Sequence, residues 1–289
     1  MPELPEVETI RAGLAELLPG RRVKAVEHDW PKAFPNSEAD VREFIVGAEI
    51  KTVRRRAKVL IMELPSGYSL VIHLKMTGQL VFRAADIRFG AGHPSDSLVG
   101  DLPDKSTRVT LDFADGSRLF FNDQRKFGWM RLVPTAQVAR LDFFKKIGPE
   151  PLEKGFTAKV LEERAARRRK SNVKSVLMDQ TVLAGVGNIY ADEALWGAKI
   201  HPAALVKDLG PADFRRLYKE LLYVLKLAID KGGSTDRNYV DVNGRRGSYL
   251  GFARVFRREG QPCPRCGTDI IKIRVAGRGT HVCPKCQQA

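Results

Sequence analysis

Val7, Ile10, Leu14, Leu17 and Leu18 recur at the three- and four-residue spacing of one helix face, so residues 5–18 read as an amphipathic helix. Pro5 and Glu6 suit its first turn and Gly20 its stop. From Val23 to Val133 the pattern shortens to that of strands. IKTVRRRAKVLIMEL, a Pro65-Ser66-Gly67 turn and YSLVIHLKM are followed later by RVTLDF, an Asp115-Gly116 turn and SRLFF. Such runs, punctuated by turn residues, predict antiparallel hairpins. Residues 84–106 interrupt the strands with Gly, Pro, Ser and Asp and read as a long surface loop. A second break falls at Ile147-Gly148-Pro149-Glu150-Pro151, after which the helical period predicts helices over 157–167, 173–180, 188–197 and 211–231. The segment from Gly232 to Gly251 is rich in Gly, Ser and Asn and reads as a loop.

A length of 289 residues is enough for two domains, and the break near 147–151 is where a boundary is expected. With 43% hydrophobic and 29% charged residues the composition is that of a globular protein, which excludes disordered and collagen-like classes. Charge changes the picture more. The net +15 is uneven: residues 1–135 hold 20 basic and 18 acidic residues, net +2, whereas 136–289 hold 29 and 16, net +13. A field of that sign points to a polyanionic partner, nucleic acid first. No apolar run is long enough for a membrane helix, and the acidic start MPELPEVETI is neither a secretory nor a transit peptide, so a cytoplasmic protein is expected.

All four cysteines lie near the end of the chain, as Cys263-Pro-Arg-Cys266 and, after sixteen intervening residues, Cys283-Pro-Lys-Cys286. Two such pairs can close a tetrahedron around one zinc ion, and four thiolates leave it no open position, so the expected metal is structural. The run between the pairs alternates apolar residues with Lys272, Arg274 and Arg278, a ribbon suited to phosphate. Such ribbons also occur in modules with no catalytic role. Gly185-Val-Gly187-Asn188-Ile-Tyr190 is a glycine turn opening a helix, where free amides suit an anion. The same turn serves as a plain helix connection, but the basic run Arg167-Arg168-Arg169-Lys170 and Lys174 precede it. At the N-terminus, removal of Met1 would make Pro2 a free secondary amine beside Glu3 and Glu6. Attack by that amine on a carbonyl-like carbon gives an iminium that stays cationic and acts as an electron sink. Taken alone, Met-Pro-Glu is more simply a stiff start to a helix.

Met1-Pro-Glu-Leu-Pro-Glu-Val-Glu, the Gly-Val-Gly-Asn-Ile-Tyr turn and the four-cysteine ribbon together resemble the bacterial formamidopyrimidine-DNA glycosylases. Arg54-Arg55-Arg56-Ala57-Lys58, His73-Leu-Lys-Met76-Thr-Gly78 and Asn122-Asp-Gln-Arg125-Lys-Phe127-Gly128 extend the resemblance over the whole chain, in the family's order. It implies an α+β multidomain fold: an N-terminal helix plus antiparallel β-sandwich (1–135), a linker (136–150), a helix-two-turn-helix domain with a lesion loop (151–250) and a zinc finger (251–289). It also implies a bifunctional repair enzyme that excises oxidised purines such as 8-oxoguanine and formamidopyrimidines and then nicks the strand by β,δ-elimination. Its partner is double-stranded DNA with damaged bases, bound by a monomer that joins the nucleoid when on DNA.

By the same resemblance Pro2 attacks the deoxyribose C1′, Glu3 is the acid/base carboxylate and Glu6 its acidic neighbour. Lys58 assists β-elimination and Arg278 δ-elimination. A base inside a duplex must be extruded and the gap filled. Met76, Arg125 and Phe127 are similar to the family's void-filling residues. His73, Arg169, Lys174 and Asn188 look like clamps on the DNA backbone. Three positions depart from the family pattern: Ser106 stands where a DNA-contacting histidine is frequent, Lys126 replaces an arginine and loses its bidentate fork, and Asp236 places an acid in the lesion loop. Two other readings fit parts of the sequence: an endonuclease VIII-like enzyme acting on oxidised pyrimidines, and a non-catalytic zinc protein that binds nucleic acid. Leu4 and the full Met76/Arg125/Phe127 set favour the first reading over the pyrimidine branch.

Overall fold

The computed structural model describes residues 2–93, 95–234 and 249–288; Asp236 lies outside them. The chain forms two compact units, one of Met1–Lys145 with Ile229–Ser248 and the other of Lys146–Ala228 with Tyr249–Ala289.

In the first unit, helix α1 (Leu4–Leu17) is followed by β1 (Val23–His28), α2 (Glu38–Phe44), β2 (Thr52–Arg56), β3 (Val59–Glu63) and β4 (Tyr68–His73). Then come β5 (Gly78–Arg83), β6 (Arg88–Gly92), β7 (Thr107–Phe113), β8 (Arg118–Asp123), β9 (Trp129–Pro134) and the short α3 (Asp142–Lys145). The strands make two antiparallel sheets, of order β1-β7-β8-β5-β6 and β2-β3-β4-β9. One core joins them. Leu60, Met62, Leu70 and Ile72 from the four-stranded sheet meet Leu80, Phe82, Leu111, Leu119 and Phe121 from the five-stranded sheet, with Val7, Ile10 and Leu14 of α1 in the same cluster. The alternate residues Val59, Ile61 and Val71 face the other way, against Val138, Phe143 and Phe144, which is why β3 is buried on both sides.

The loop expected over 84–106 is ordered differently. Arg88–Gly92 is a strand that pairs with β5, Phe89 and Ala91 enter the main core, and Leu98 and Leu102 cover Val81 and Phe120 on the outer sheet face. Gly92 permits this packing, because at φ +129 a Cβ there would lie 2.5 Å from the Gly78 carbonyl oxygen.

In the second unit, helices α4 (Ala158–Ala165), α5 (Val173–Met178), α6 (Asn188–Ala198) and α7 (Pro211–Asp230) fall where the helical period places them. The hydrophobic stripe of α7, Phe214, Leu217, Leu221, Val224 and Leu225, packs with Tyr190, Leu195 and Tyr249. The hairpin β10 (Ile271–Val275) and β11 (Arg278–Val282) closes the unit, with Trp196 of α6 packed against Cys263 and Cys283. No helix among the described residues is long and apolar enough to cross a membrane.

Candidate nucleic-acid site and metal centre

The start of α1 gathers acidic groups. Glu3 caps the helix and forms a reciprocal capping box with Glu6, whose Oε2 accepts the Glu3 backbone N–H at 2.7 Å. The other Glu6 oxygen accepts the Ser234 N–H, also at 2.7 Å, so one buried carboxylate joins the first turn of α1 to the chain just past α7. Pro2 and Glu3 are buried beside it. One turn further, Glu8 accepts from Arg11 and Arg55 at 2.8 Å each. Burial raises its pKa, but those two guanidinium groups outweigh the burial and hold its carboxyl below the ordinary range. Arg55 also donates to the Ala57 carbonyl at 2.8 Å, which ties the β2–β3 turn to α1. Lys58 sits in that turn with 4% exposure.

The β3–β4 register places His73 opposite Val59, next to Lys58. Burial, then the charges of Lys75 and Lys58, push the His73 pKa down to about 3, so the imidazole is neutral at pH 7. Its Nδ1 accepts the Lys75 N–H at 3.0 Å, leaving Nε2 to carry the proton and act as a donor. Trp129 and Phe143 hold the ring.

At this end of the sandwich the chain twice changes sheets, from β4 to β5 through residues 74–77 and from β8 to β9 through 124–128. The first connection carries Met76 and the second Arg125 and Phe127. Asp123, with 0% exposure, organises both. Its Oδ1 accepts the Thr77 hydroxyl and the Arg125 N–H, and its Oδ2 accepts the N–H groups of Phe127 at 2.8 Å and Gly128 at 2.6 Å. Phe127 is thereby held out, the residue 53% exposed, and the Arg125 guanidinium lies 4.8 Å over its ring. Lys126 turns elsewhere, its ammonium 4.4 Å over the Trp30 ring. Ser106 is buried and bonded to Asp104 and Ser97.

Several of these residues follow a left-handed turn: Ala57 (φ 51) precedes Lys58, Lys75 (φ 51) precedes Met76, and Lys126 (φ 58) precedes Phe127. In the second unit Ala276 (φ 48) and Gly277 (φ 76) form the two-residue turn of the β10–β11 hairpin, the geometry of a type I′ turn, and Arg278 comes next, exposed.

Arg169 is exposed. Asn188 opens α6 and donates through Nδ2 to the Gly279 carbonyl at 3.1 Å. Gln180 shapes the preceding turn, accepting from the Gly185 N–H and donating to the Val186 carbonyl, both at 2.8 Å. Lys174 is not at the surface. It is 1% exposed, and its ammonium is 2.7 Å from Asp192, so the structure places it under the hairpin and not among outward-facing cations.

The four cysteines are free thiols whose Sγ atoms lie within 4.8 Å of one another. Four thiolates at about 2.3 Å from one zinc ion stand about 3.8 Å apart. The pairs Cys263–Cys286 at 3.9 Å and Cys266–Cys283 at 3.5 Å bracket that spacing, so the cluster fits a structural zinc ion.

Asp123, Glu8 and Asp192 are not distinguishable by sequence pattern from solvated acids. The spacing of Asn188 and Asp192, four apart on one helix face, is the one signal that pairs an acid with a proposed site residue.

Three family models match the chain: the formamidopyrimidine-DNA glycosylase N-terminal domain over residues 1–130, its H2TH domain over 147–239, and a zinc finger found in FPG and IleRS over 260–289. The chain is 42% identical over 289 residues to a formamidopyrimidine-DNA glycosylase of Pelotomaculum thermopropionicum, covering 100% of this chain and 99% of the relative. It is 39% identical to that of Ligilactobacillus salivarius, covering 99% of both. Among solved structures it is similar to Lactococcus lactis Fpg bound to DNA containing an abasic site, at 36% identity and a TM-score of 0.87, over 99% of this chain and 100% of that one. A mutant of the Lactococcus lactis protein in complex with DNA containing Fapy-dG matches with the same identity and TM-score, over 100% of both chains.

Proposed function

The chain belongs to the formamidopyrimidine-DNA glycosylase family, and from that premise we propose how its own residues carry out the excision. It is a base-excision repair DNA glycosylase of oxidised purines, with DNA as its partner and one structural zinc site. In the proposed reaction the mature protein begins at Pro2. Its secondary amine forms a bond to C1′ of the damaged nucleotide as the C1′–N bond breaks and the base leaves with a proton. Glu3 serves as acid/base at the sugar. The C1′–O4′ bond then breaks, O4′ taking up a proton as the sugar ring opens, and leaves an iminium at C1′ that acidifies the C2′ proton, whose removal expels the 3′ phosphate; a second elimination, through loss of the C4′ proton, expels the 5′ phosphate. Lys58 assists the first elimination and Arg278 the second.

The observation that best supports this assignment is the setting of α1. Glu3 caps α1 in a reciprocal box with Glu6, and the Arg55 bridge from Glu8 to the Ala57 carbonyl fixes the turn that carries Lys58. Met76, Arg125 and Phe127 fill the void left by the extruded nucleotide, an adaptable wedge, a donor and an aromatic plate in turn. His73 offers Nε2–H to the DNA backbone, and Asn188 and Arg169 do so from the second unit. The enzyme works as a cytoplasmic monomer. Borohydride trapping on a duplex containing 8-oxoguanine tests the nucleophile. A covalent adduct is expected from protein lacking Met1, and trapping by protein that retains Met1 would overturn the Pro2 assignment.

A further inference from the structure

We infer that Asp192 and Lys174 are positioning residues for Arg278, acting through the β10–β11 hairpin and not on DNA. The Lys174 ammonium sits under the hairpin, ion-paired with Asp192 and donating hydrogen bonds to Thr280 and to the Gly279 carbonyl. Asp192 Oδ1 lies at 2.7 Å, Thr280 Oγ1 at 2.6 Å and the Gly279 carbonyl at 3.3 Å. Asp192 Oδ2 accepts the His281 backbone N–H at 2.9 Å. Thr280 in turn donates from Oγ1 to the carbonyl of Arg278 at 3.0 Å. The Gly279 carbonyl receives a second donor, Asn188 Nδ2 at 3.1 Å, which uses both of its lone pairs.

Residues of α5 and α6 therefore hold each of the four positions 278–281 directly or through one hydroxyl. The hairpin is otherwise a two-stranded ribbon, an element with little rigidity of its own. The two charged side chains are buried, at 1% and 0% exposure, and taking charges out of water is costly unless they are paired. Their use is geometric: the pair fixes the strand that begins at Arg278, so that the guanidinium is set before DNA arrives.

This inference rests on the reading of Arg278 as the group that promotes δ-elimination. The experiment uses the zinc-loaded full chain and abasic-site duplex, and compares Asp192→Asn, the neutral pair Lys174→Met/Asp192→Leu, Arg278→Ala and the Asp192→Asn/Arg278→Ala combination. The double replacement leaves no unpaired charge and guards against loss of folding in the single variant. Zinc content, borohydride trapping, the ratio of δ- to β-elimination products and amide exchange at His281 are measured. For Asp192→Asn, one zinc per chain and trapping within about threefold of wild type are expected, with exchange at His281 accelerated. The δ/β ratio should fall about tenfold, toward that of Arg278→Ala, and adding Arg278→Ala should lower it no further. The neutral pair should show the same loss of ratio. An unchanged ratio in both Asp192 variants, or full additivity with Arg278→Ala, would overturn the positioning role. If Arg278→Ala itself leaves the ratio unchanged, the Arg278 reading fails instead, and slow His281 exchange in the variants would then refute the tether separately.

Discussion

Replacing Asp123 by Asn tests whether the connection carrying Arg125 and Phe127 must be preset for the enzyme to open a duplex. The substitution keeps shape and removes charge. Its cheapest arrangement turns the new amide nitrogen toward Thr77, whose hydroxyl can rotate to accept, and leaves an oxygen for the Phe127 and Gly128 N–H groups, while the Arg125 N–H gives up its Asp123 acceptor and keeps the Thr77 hydroxyl at 3.1 Å. Those two bonds then pass from charge-assisted to neutral. At about 1 kcal/mol lost for each, the loop loses about 2 kcal/mol, roughly a 30-fold shift. If Phe127 and Arg125 act by filling the space of an extruded base, kcat/KM on an 8-oxoguanine duplex should fall by about 30-fold. Trapping on a single-stranded abasic oligonucleotide, which needs no extrusion, should stay within about twofold. Equal losses on the two substrates would show that Asp123 supports the chemistry or the fold in general, and that the loop argument is wrong.

Other consequences can be checked as directly. His73 titrates at about 3 when folded and near 6.5 when unfolded, so below pH 6.5 the unfolded chain binds the extra proton. Stability of the first unit should be fully present above pH 6.5 and fall by up to about 1.4 kcal/mol per pH unit on acidification; urea unfolding of His73→Gln at pH 7 and pH 5 should lack that slope. Zinc chelation, or Cys266→Ser, should abolish DNA binding in a gel-shift assay while circular dichroism retains the β signal of the first unit, and unchanged binding without zinc would refute a role for the ribbon. Arg278→Ala should reduce the slope of log affinity against log salt by about 0.9, one phosphate contact, and no change of slope would remove Arg278 from the DNA interface.

The helices and the chemistry were legible in the sequence for different reasons. Apolar periodicity in α1 and α7 is a local signal that tertiary packing reinforces, and the paired cysteines carry their own geometry. Strand β6 was hidden because Arg88-Phe-Gly-Ala-Gly92 has no β-branched residue and two glycines; those glycines are there for close backbone contacts with β5 and Leu98. Lys174 follows a basic run and so reads as another outward cation. Its burial is decided by Asp192, eighteen positions away, and no local pattern announces that pairing. Asp123 is invisible for a related reason: its importance lies in which N–H groups the change of sheets brings to it, and that exists only once both sheets have formed.

Of the six non-glycine residues with positive φ among the described residues, Ala57, Lys75, Lys126 and Ala276 each stand one or two positions before a residue proposed to meet DNA. Each proposed group is thus joined to a rigid strand by a tight bend and few rotatable bonds. The ordering entropy of these groups is met when the protein folds, at a cost of about 1–2 kcal/mol for a residue held in a left-handed bend. A protein that must inspect long stretches of sound DNA gains from that timing: each encounter is a comparison of the duplex with a fixed template, and discrimination falls on how readily the DNA deforms. Attempts to harden the enzyme by exchanging these four bends for relaxed ones should therefore raise its melting temperature and slow its search.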